Sequence, residues 1–446
     1  ATLKRSILTL LIITPFFGVA QTNNDLIKDI QQLMVDNYIF LDKAEETNAL
    51  LDDLMAKKYF DSFDSPEELA KAVTEKMRSV TQDKHLSMVA PRPQQVVMEE
   101  GPKAPYIQSF SRNRRPMIQE VKYLENNIAY LDIRYFGVGD QHYEGVDLAM
   151  QLMVNANAFI IDMRKNGGGS PRMVQYLCSY FFDSEFLLNT IYTRATDHSD
   201  ELHVLDVNGF KRPNVPVYIL TSSHTFSGAE DFSYTMQQHE NRATVIGEQT
   251  GGGAHPTRFF PLPNGYGVRI PFARTINPVT KTNWEGTGVT PDIKSSEDEA
   301  LDKAIELATA SAGTYTDSFL EPLEKALSEM DNSKLSSEDE EKVYKLFSKA
   351  VRSNILDEGD INNAGYTYLQ DGKVKSAIAV FRSNTLIFPV SANVYDSYAE
   401  ALGEDGQMEK ALVNYKKAVQ TATEQKDGNL ELFKQNLEAF KERMIR

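Results

Sequence analysis

Short apolar runs alternate with helix-like segments between residues 118 and 300, and this alternation limits the possible folds of the chain more than any other feature. Two of the segments, 146–154 and 172–182, are predicted to be helices. Short buried strands that alternate with helices usually form a largely parallel sheet covered on both faces, so we predict an α/β core. The predicted strands are 128–136, 158–163, 217–221, 243–247 and 268–273.

Both flanks of this region are predicted to be helical. Residues 22–80 place apolar side chains at helical spacing, and Ser65 followed by Pro66 marks the start of one helix. Residues 91–117 are rich in proline and arginine and are predicted to be loop. No strand is predicted after about residue 300. The helices predicted there are 298–310, 321–355 and 430–444.

The C-terminal helices contain a 34-residue period, which resembles tetratricopeptide repeats. Two repeats are predicted over about 357–424, and a helix at 430–444 would cap them. The alternative is a set of unrelated helices with chance matches. The pairs that are 34 residues apart are Gly372 and Gly406, Ala377 and Ala411, Phe381 and Tyr415, and Tyr368 and Leu402.

The N-terminus is typical of a secretory signal peptide. Lys4 and Arg5 precede an uncharged apolar stretch at 6–17, and small residues follow up to Ala20. A short membrane anchor is the alternative, but the stretch is too short to span a bilayer comfortably. We therefore predict cleavage after Ala20 and an exported protein, periplasmic or extracellular, with no stable membrane span.

These observations predict four parts of the chain. They are a signal peptide at 1–20, a helical N-terminal region at 21–100, an α/β core at 101–312 and a helical tail with two tetratricopeptide-like repeats at 313–446. The net charge of −16 argues against a nucleic-acid partner, because nucleic acids require a basic face. The single cysteine, Cys178, excludes an internal disulfide. No Cys/His cluster has zinc spacing, and neither a cofactor nor a metal is predicted.

Two glycine-containing segments follow predicted strands and could carry chemistry. The strand at 158–163 ends in Gly167-Gly168-Gly169, whose backbone N–H groups could form an oxyanion hole. The alternatives are a phosphate-binding loop and a bare turn. A Walker loop is excluded, because Ser170 and Pro171 follow instead of Gly-Lys-Ser or Gly-Lys-Thr, whereas the bare turn stays open.

The strand at 217–221 leads into a cluster of hydroxyls that ends in Ser227 and Gly228, just before a predicted helix. A serine at such a junction is where a nucleophile is usually held. The alternative is an ordinary N-cap, since Glu230 three residues later suits a capping box. Spacing does not decide which histidine would serve Ser227 as base: His85, His224 and His255 all stay open at this point.

Two further glycine-rich segments, 247–256 and 283–292, complete a series of motifs, although either segment taken alone is more simply a surface turn. The second holds the only tryptophan and Glu285. In their order and spacing the motifs resemble the tail-specific, or C-terminal processing, peptidase family over about residues 25–300. The resemblance is to the branch of the tricorn core and the interphotoreceptor retinoid-binding protein. The branch with a Ser–Lys dyad is disfavoured, because no lysine lies between Ser227 and Thr280.

That resemblance implies roles for five residues. Ser227 would be the nucleophile and His85, in Asp-Lys-His-Leu, the general base. Glu285 would complete the relay through an intervening hydroxyl, and the oxyanion donors would be the N–H groups of Gly228 and Gly168. The implied fold is a crotonase-like sheet-and-helix core of the ClpP/crotonase type.

The same resemblance implies a serine peptidase that acts on peptides or unfolded proteins through an acyl-enzyme. The alternative function is a non-catalytic binding protein for apolar ligands or peptides on the same scaffold. The helical tail is expected to recruit a substrate or a protein partner.

Overall fold

The computed structural model describes residues 22–91, 116–183, 185–330 and 334–445. The predicted signal peptide and nearly all of the loop predicted at 91–117 lie outside these residues. The chain divides into two compact units. The first comprises Ala1–Arg114, Asn189–Glu201 and Gly252–Thr287, and the second Arg115–Leu188, Leu202–Gly251 and Gly288–Arg446. The first unit thus combines the predicted N-terminal region with two segments of the predicted core.

The first unit begins with helices and contains two small sheets. The Ser65 hydroxyl accepts a hydrogen bond from the Glu68 N–H at 3.4 Å, so the predicted helix start there is observed. The core combines helix residues such as Leu26 and Met77 with Val268 and Ile270 from a strand. The helices are α1 (Asn23–Asn37), α2 (Leu41–Ala56) and α3 (Pro66–Thr81). The strands are β1 (Ser87–Val89), β5 (Leu187–Thr193), β6 (His198–His203), β9 (Thr257–Pro261), β10 (Gly267–Pro271) and β11 (Ala273–Ile276).

The strand predicted at 268–273 as part of the parallel sheet is wrong in two respects. It divides into β10 and β11, and each pairs antiparallel, β10 with β1 and β9 and β11 with β5. Pro271 has no N–H for a ladder hydrogen bond, and β10 ends there. The alternation of buried Val268 and Ile270 with exposed Arg269 is typical of an antiparallel strand with one solvent-facing side.

The second unit contains a six-stranded sheet in the order β12-β8-β7-β4-β3-β2. All neighbouring pairs are parallel except β2 and β3, which pair antiparallel at one edge. Every residue of β3, β4 and β7 is buried, as expected for a sheet covered on both faces. The predicted α/β fold class is confirmed. The strands are β2 (Ile118–Leu124), β3 (Ile128–Ile133), β4 (Ala158–Asp162), β7 (Val217–Thr221), β8 (Thr244–Gly247) and β12 (Ile293–Lys294).

Three helices connect these strands, and a fourth, long helix covers the sheet. The long helix places Ala300, Ala304, Ala308 and Ala312 against the sheet, and small side chains at this spacing allow the close packing. It spans 29 residues and continues across the predicted boundary between the core, which was to end at 312, and the tail, which was to begin at 313. The four helices are α4 (Asp140–Leu152), α5 (Pro171–Ser179), α6 (Gly228–Gln238) and α7 (Ala300–Ser328).

The remaining C-terminal part of the second unit is helical, as predicted, and its turns repeat. Gly372 and Gly406, 34 residues apart, have φ angles of +72° and +78°. The residue after each donates its N–H across the same turn, Lys373 to Tyr368 O and Gln407 to Leu402 O, both at 2.9 Å. The helices are α8 (Ser337–Arg352), α9 (Glu358–Gln370), α10 (Val374–Ile387), α11 (Ala392–Glu404), α12 (Met408–Gln425) and α13 (Leu430–Ile445).

Within the four described ranges, no helix combines the length and the apolar character that a membrane crossing requires.

Candidate active site

Ser227 lies in the second unit, at the junction between β7 and α6, with backbone angles that a side chain rarely adopts. Its φ is 56° and its ψ is −120°, whereas an ordinary N-cap residue lies in the β region. The Ser227 N–H donates to Glu230 Oε2 at 2.8 Å, and the other carboxylate oxygen of buried Glu230 accepts from Thr250 Oγ1 at 2.5 Å. Such strain persists only where the surroundings enforce it, and it is concentrated at functional sites.

Gly168, at the end of β4, packs directly against this junction. A Cβ built on Gly168 would lie 2.6 Å from the Gly228 nitrogen and 2.7 Å from the Ser227 Cβ. The φ of Gly168 is +101°, so both space and conformation require glycine at this position. The Gly168 N–H donates to Asn166 Oδ1 at 2.8 Å. Its predicted use as an oxyanion donor therefore requires release of that hydrogen bond.

The other hydroxyls of the predicted cluster hold the turn to the end of β4. Thr225 Oγ1 donates to Met163 O at 2.9 Å, and Ser222 Oγ donates to Arg164 O at 2.6 Å. Both residues are fully buried, and the Ser222 N–H donates back to Thr225 Oγ1 at 2.9 Å. His224, in the same turn, is exposed. The side chains of Ser222 and Thr225 are thus committed to backbone contacts.

The first unit contains a buried cluster of Asp83, His255 and Glu285. His255 Nδ1 lies 2.7 Å from Asp83 Oδ2 and 3.5 Å from Glu285 Oε2. Asp83 is 1% exposed and His255 4% exposed, so this contact is almost free of solvent screening. The structure therefore brings Glu285, predicted as the acid of the relay, together with His255.

Asp83 connects this cluster to the backbone of His85. Asp83 Oδ1 accepts a hydrogen bond from the His85 N–H at 3.0 Å, and Asp83 Oδ2 also accepts from the Tyr38 hydroxyl at 3.4 Å. Sequence reasoning did not assign a role to Asp83. The sequence did contain a pattern that indicates this contact: in turns, an aspartate side chain commonly accepts a hydrogen bond from the backbone N–H two residues later.

The His85 loop is also clamped from α3. Arg78 donates through Nε to Leu86 O at 2.8 Å and through a terminal nitrogen to Lys84 O at 2.5 Å. Burial lowers the pKa of His85 from 6.5 to about 4, and Asp83 opposes that shift. Electrostatic interactions with His255, Arg269 and Arg78 also contribute to this lowering of the His85 pKa. His85 is therefore neutral at pH 7 and can accept a proton.

The glycine-rich segments 247–256 and 283–292 are loops that hydrogen-bond to each other and hold Glu285 in place. Trp284 is 2% exposed, and its Nε1–H donates to Gly253 O at 2.8 Å. The Gly286 N–H donates to Gly252 O at 3.1 Å. The Ala254 N–H donates to Glu285 Oε2 at 2.6 Å, which fixes that carboxylate beside His255.

The same cluster contains residue types that bind metal ions. One ligand atom from each of Asp83, His255 and Glu285 lies within 4.8 Å of the other two. Imidazole and carboxylate ligands suit zinc. The Asp83–His255 separation of 2.7 Å, however, is that of a charge-assisted hydrogen bond. We therefore interpret the group as a proton-sharing cluster.

Comparison with known proteins identifies relatives of this chain. The chain is 28% identical over 139 residues to the chloroplastic carboxyl-terminal-processing peptidase 2 of Arabidopsis thaliana, covering 31% of this chain and 26% of that protein. It is 25% identical over 123 residues to a carboxyl-terminal-processing protease of Synechocystis, covering 28% of this chain and 27% of that protein. The matched segments thus span about a quarter of the length of these relatives.

Among solved structures, the photosystem II D1 C-terminal processing protease is similar, with a TM-score of 0.41 and 13% identity, over 66% of this chain and 98% of that one. Residues 127–295 match the family described as peptidase family S41. Residues 18–124 match the N-terminal domain of peptidase S41 in the eukaryotic interphotoreceptor retinoid-binding protein. The chain therefore belongs to peptidase family S41 and carries the N-terminal domain found in its retinoid-binding-protein branch.

Proposed function

We propose that the protein is a serine peptidase that cleaves peptide bonds through an acyl-enzyme, with Ser227 as the nucleophile. The observation that carries this proposal is the strained backbone of Ser227 beside Gly168 and Gly228. A side chain held at positive φ where a strand leads into a helix projects from the turn, and the N–H of the following residue, Gly228, lies beside it as a donor for an oxyanion. Membership of peptidase family S41 supports the same chemistry.

In the proposed reaction His85 accepts the Ser227 hydroxyl proton while Oγ bonds to the substrate carbonyl carbon. The carbonyl oxygen becomes an oxyanion, which accepts hydrogen bonds from the Gly228 N–H and from the Gly168 N–H, the latter after its hydrogen bond to Asn166 Oδ1 is released. His85 then gives its proton to the leaving amine as the C–N bond breaks, and water hydrolyses the acyl-enzyme by the reverse proton transfers.

His85 is proposed as the base because its lowered pKa keeps the imidazole neutral at pH 7. His255 stays the competing candidate: its Nδ1 lies 2.7 Å from Asp83 Oδ2, and its other ring nitrogen would then have to accept the serine proton. Glu285 is proposed as the acid that supports the relay, and the Ala254 N–H keeps its carboxylate oriented.

The proposed substrates are peptides and unfolded proteins, cleaved near their carboxyl termini. The named relatives from Arabidopsis and Synechocystis are carboxyl-terminal-processing enzymes, and they supply the analogy. An accessible, extended substrate segment is required, because the peptide carbonyl must meet backbone donors of fixed position.

Labelling with a serine-directed fluorophosphonate tests the nucleophile and the base together. We expect the probe to label the wild type and Ser223→Ala, because Ser223 is exposed and outside the proposed machinery. Ser227→Ala is expected to abolish labelling and hydrolysis of an unfolded protein. His85→Ala is expected to slow labelling by about 10²–10⁴-fold, the usual contribution of a general base.

Three outcomes contradict parts of this proposal. Labelling of Ser227→Ala at the wild-type rate would reject the nucleophile. Loss of labelling in His255→Ala but not in His85→Ala would transfer the role of base to His255. A folded wild type that neither labels nor hydrolyses would favour the alternative function, a binding protein on the same scaffold.

The contact between Gly168 and Ser227 generates a second prediction. Gly168→Ala would place a methyl group against the Ser227 Cβ, and we expect the displaced serine to label about 10²-fold more slowly. The strain at this φ should also lower the free energy of unfolding by about 1–3 kcal/mol. Gly167→Ala is the matched control, since nothing lies within 4 Å of its added methyl group. Equal labelling of the two variants would contradict the assignment.

We further propose that the protein is exported, on the strength of the signal-peptide pattern at 1–20. The prediction is that protein recovered from the periplasm of a bacterial host begins at Gln21, as determined by N-terminal sequencing. Replacing Lys4 and Arg5 by glutamate should slow processing, because the positive n-region is lost. An unprocessed N-terminus in the exported fraction would contradict the cleavage site.

The C-terminal helices are proposed to be tetratricopeptide-like repeats that recruit a substrate or a protein partner. The repeated turn geometry at Gly372 and Gly406 supports this proposal. Removal of residues 334–446 keeps α7 intact, so we expect cleavage of a short chromogenic peptide to persist while cleavage of an unfolded protein falls. Unchanged cleavage of both substrates would contradict a recruiting role, and loss of both would show that the tail is needed for folding.

A further inference from the structure

Three loops of the first unit meet at the His255 imidazole. The 251–256 loop carries His255 itself, the turn after α3 carries Asp83, and the segment around Trp284 carries Glu285. Both carboxylates face the same ring nitrogen, Nδ1, at 2.7 Å and 3.5 Å. Because carboxylates are acceptors, Nδ1 must carry the proton and donate it.

The contact with Asp83 extends to His85. The two oxygens of the Asp83 carboxylate have different partners: Oδ2 accepts from His255, and Oδ1 accepts from the His85 backbone N–H at 3.0 Å. The Tyr38 hydroxyl also donates to Oδ2, at the longer distance of 3.4 Å, so His255 makes the shorter of the two side-chain contacts that orient Asp83. The same carboxylate holds the His85 backbone. The edge of the Phe40 ring, 5.5 Å from the His255 ring centroid to centroid, closes another side of the imidazole.

We propose that His255 is a positioning residue whose Nδ1–H holds Asp83 and Glu285 together and, through Asp83, fixes the backbone of His85. This inference rests on the proposed function, in which His85 is the base. His255 would touch neither the substrate nor the reacting atoms. The glycine-rich 251–256 segment would then serve to bring an imidazole to one buried carboxylate, Asp83, and one partly buried carboxylate, Glu285.

The electrostatic surroundings of His85 give this role a measurable signature. The groups that act on His85 are Asp83 in its own turn, His255, Arg78 from α3 and Arg269 from β10. Asp83 raises the His85 pKa, and the other three lower it. Loss of the imidazole at position 255 removes one lowering influence, so the pKa of His85 should rise from about 4. More His85 is then protonated at pH 5, and the acidic limb of kcat/KM moves to higher pH.

Two substitutions of His255 distinguish a role of its N–H as hydrogen-bond donor from a role of its ring in packing. His255→Asn keeps an N–H donor near the position of Nδ1 but loses most of the ring, whereas His255→Phe keeps the ring but loses the donor. We expect His255→Phe to lower kcat by about 10²-fold, the effect of misplacing a catalytic group by about 1 Å. His255→Asn should retain most of kcat, and KM should change little in either variant.

The opposite order, with His255→Phe active and His255→Asn inactive, would show that the ring merely fills space and would overturn the proposal. Where His255→Phe does not fold because Asp83 is left buried without a donor, the double variant Asp83→Asn/His255→Phe removes that charge. A positioning role through Asp83 predicts that the two substitutions are not additive in kcat.

Nuclear magnetic resonance titration of the His85 imidazole distinguishes failure of this inference from failure of the proposed function. The measurement needs no catalysis, and it compares the wild type with His255→Asn and His255→Phe. A higher His85 pKa in both variants supports the coupling even if no peptidase activity is found. An unchanged His85 pKa, together with a wild-type kcat for His255→Phe, would reject it while leaving Ser227 labelling intact.

Discussion

The close contact between two backbone segments at the ends of β4 and β7 is the constraint on which the second unit depends. Gly168 approaches Ser227 and Gly228 so closely that a single methyl group would lie 2.6–2.8 Å from three atoms of that junction. Close packing of this kind leaves no room for adjustment. It requires glycine at one strand end and holds the serine at the other in a conformation that serine alone would avoid.

Buried polar groups secure that constraint. The hydroxyls of Ser222 and Thr225 donate to backbone carbonyls of the neighbouring strand end, and Glu230 accepts from the Ser227 N–H. Each of these groups would be costly to bury without a partner, so the network favours one arrangement of the turn. The hydroxyls of this segment therefore have different roles. Those of Ser222 and Thr225 hold the turn to the end of β4, whereas Ser227 is the proposed nucleophile.

In the first unit, the arrangement of the loops depends on carboxylates removed from water. Asp83 and Glu285 are carboxylates in largely solvent-free positions, and removing such groups from water is expensive unless donors surround them. The donors are His255, Tyr38 and backbone N–H groups, which together connect three loops. The cost of burial is offset only in one geometry, which is why such clusters define an arrangement of loops more strictly than apolar contacts do.

The sequence by itself determined the local features of this protein. Period and turn chemistry predicted the α/β core, the helical flanks, the start of α3 at Pro66 and the 34-residue repeat of turns. The resemblance of its motifs identified the family. The tertiary structure alone decided that the 268–273 segment leaves the parallel sheet and that Asp83 and Glu285 both face His255. Asp83 and His255 are 172 residues apart, and no periodic pattern encodes such a contact. Propensity and spacing act over a few residues, whereas the pairing of buried charges is settled only when the loops that carry them pack together.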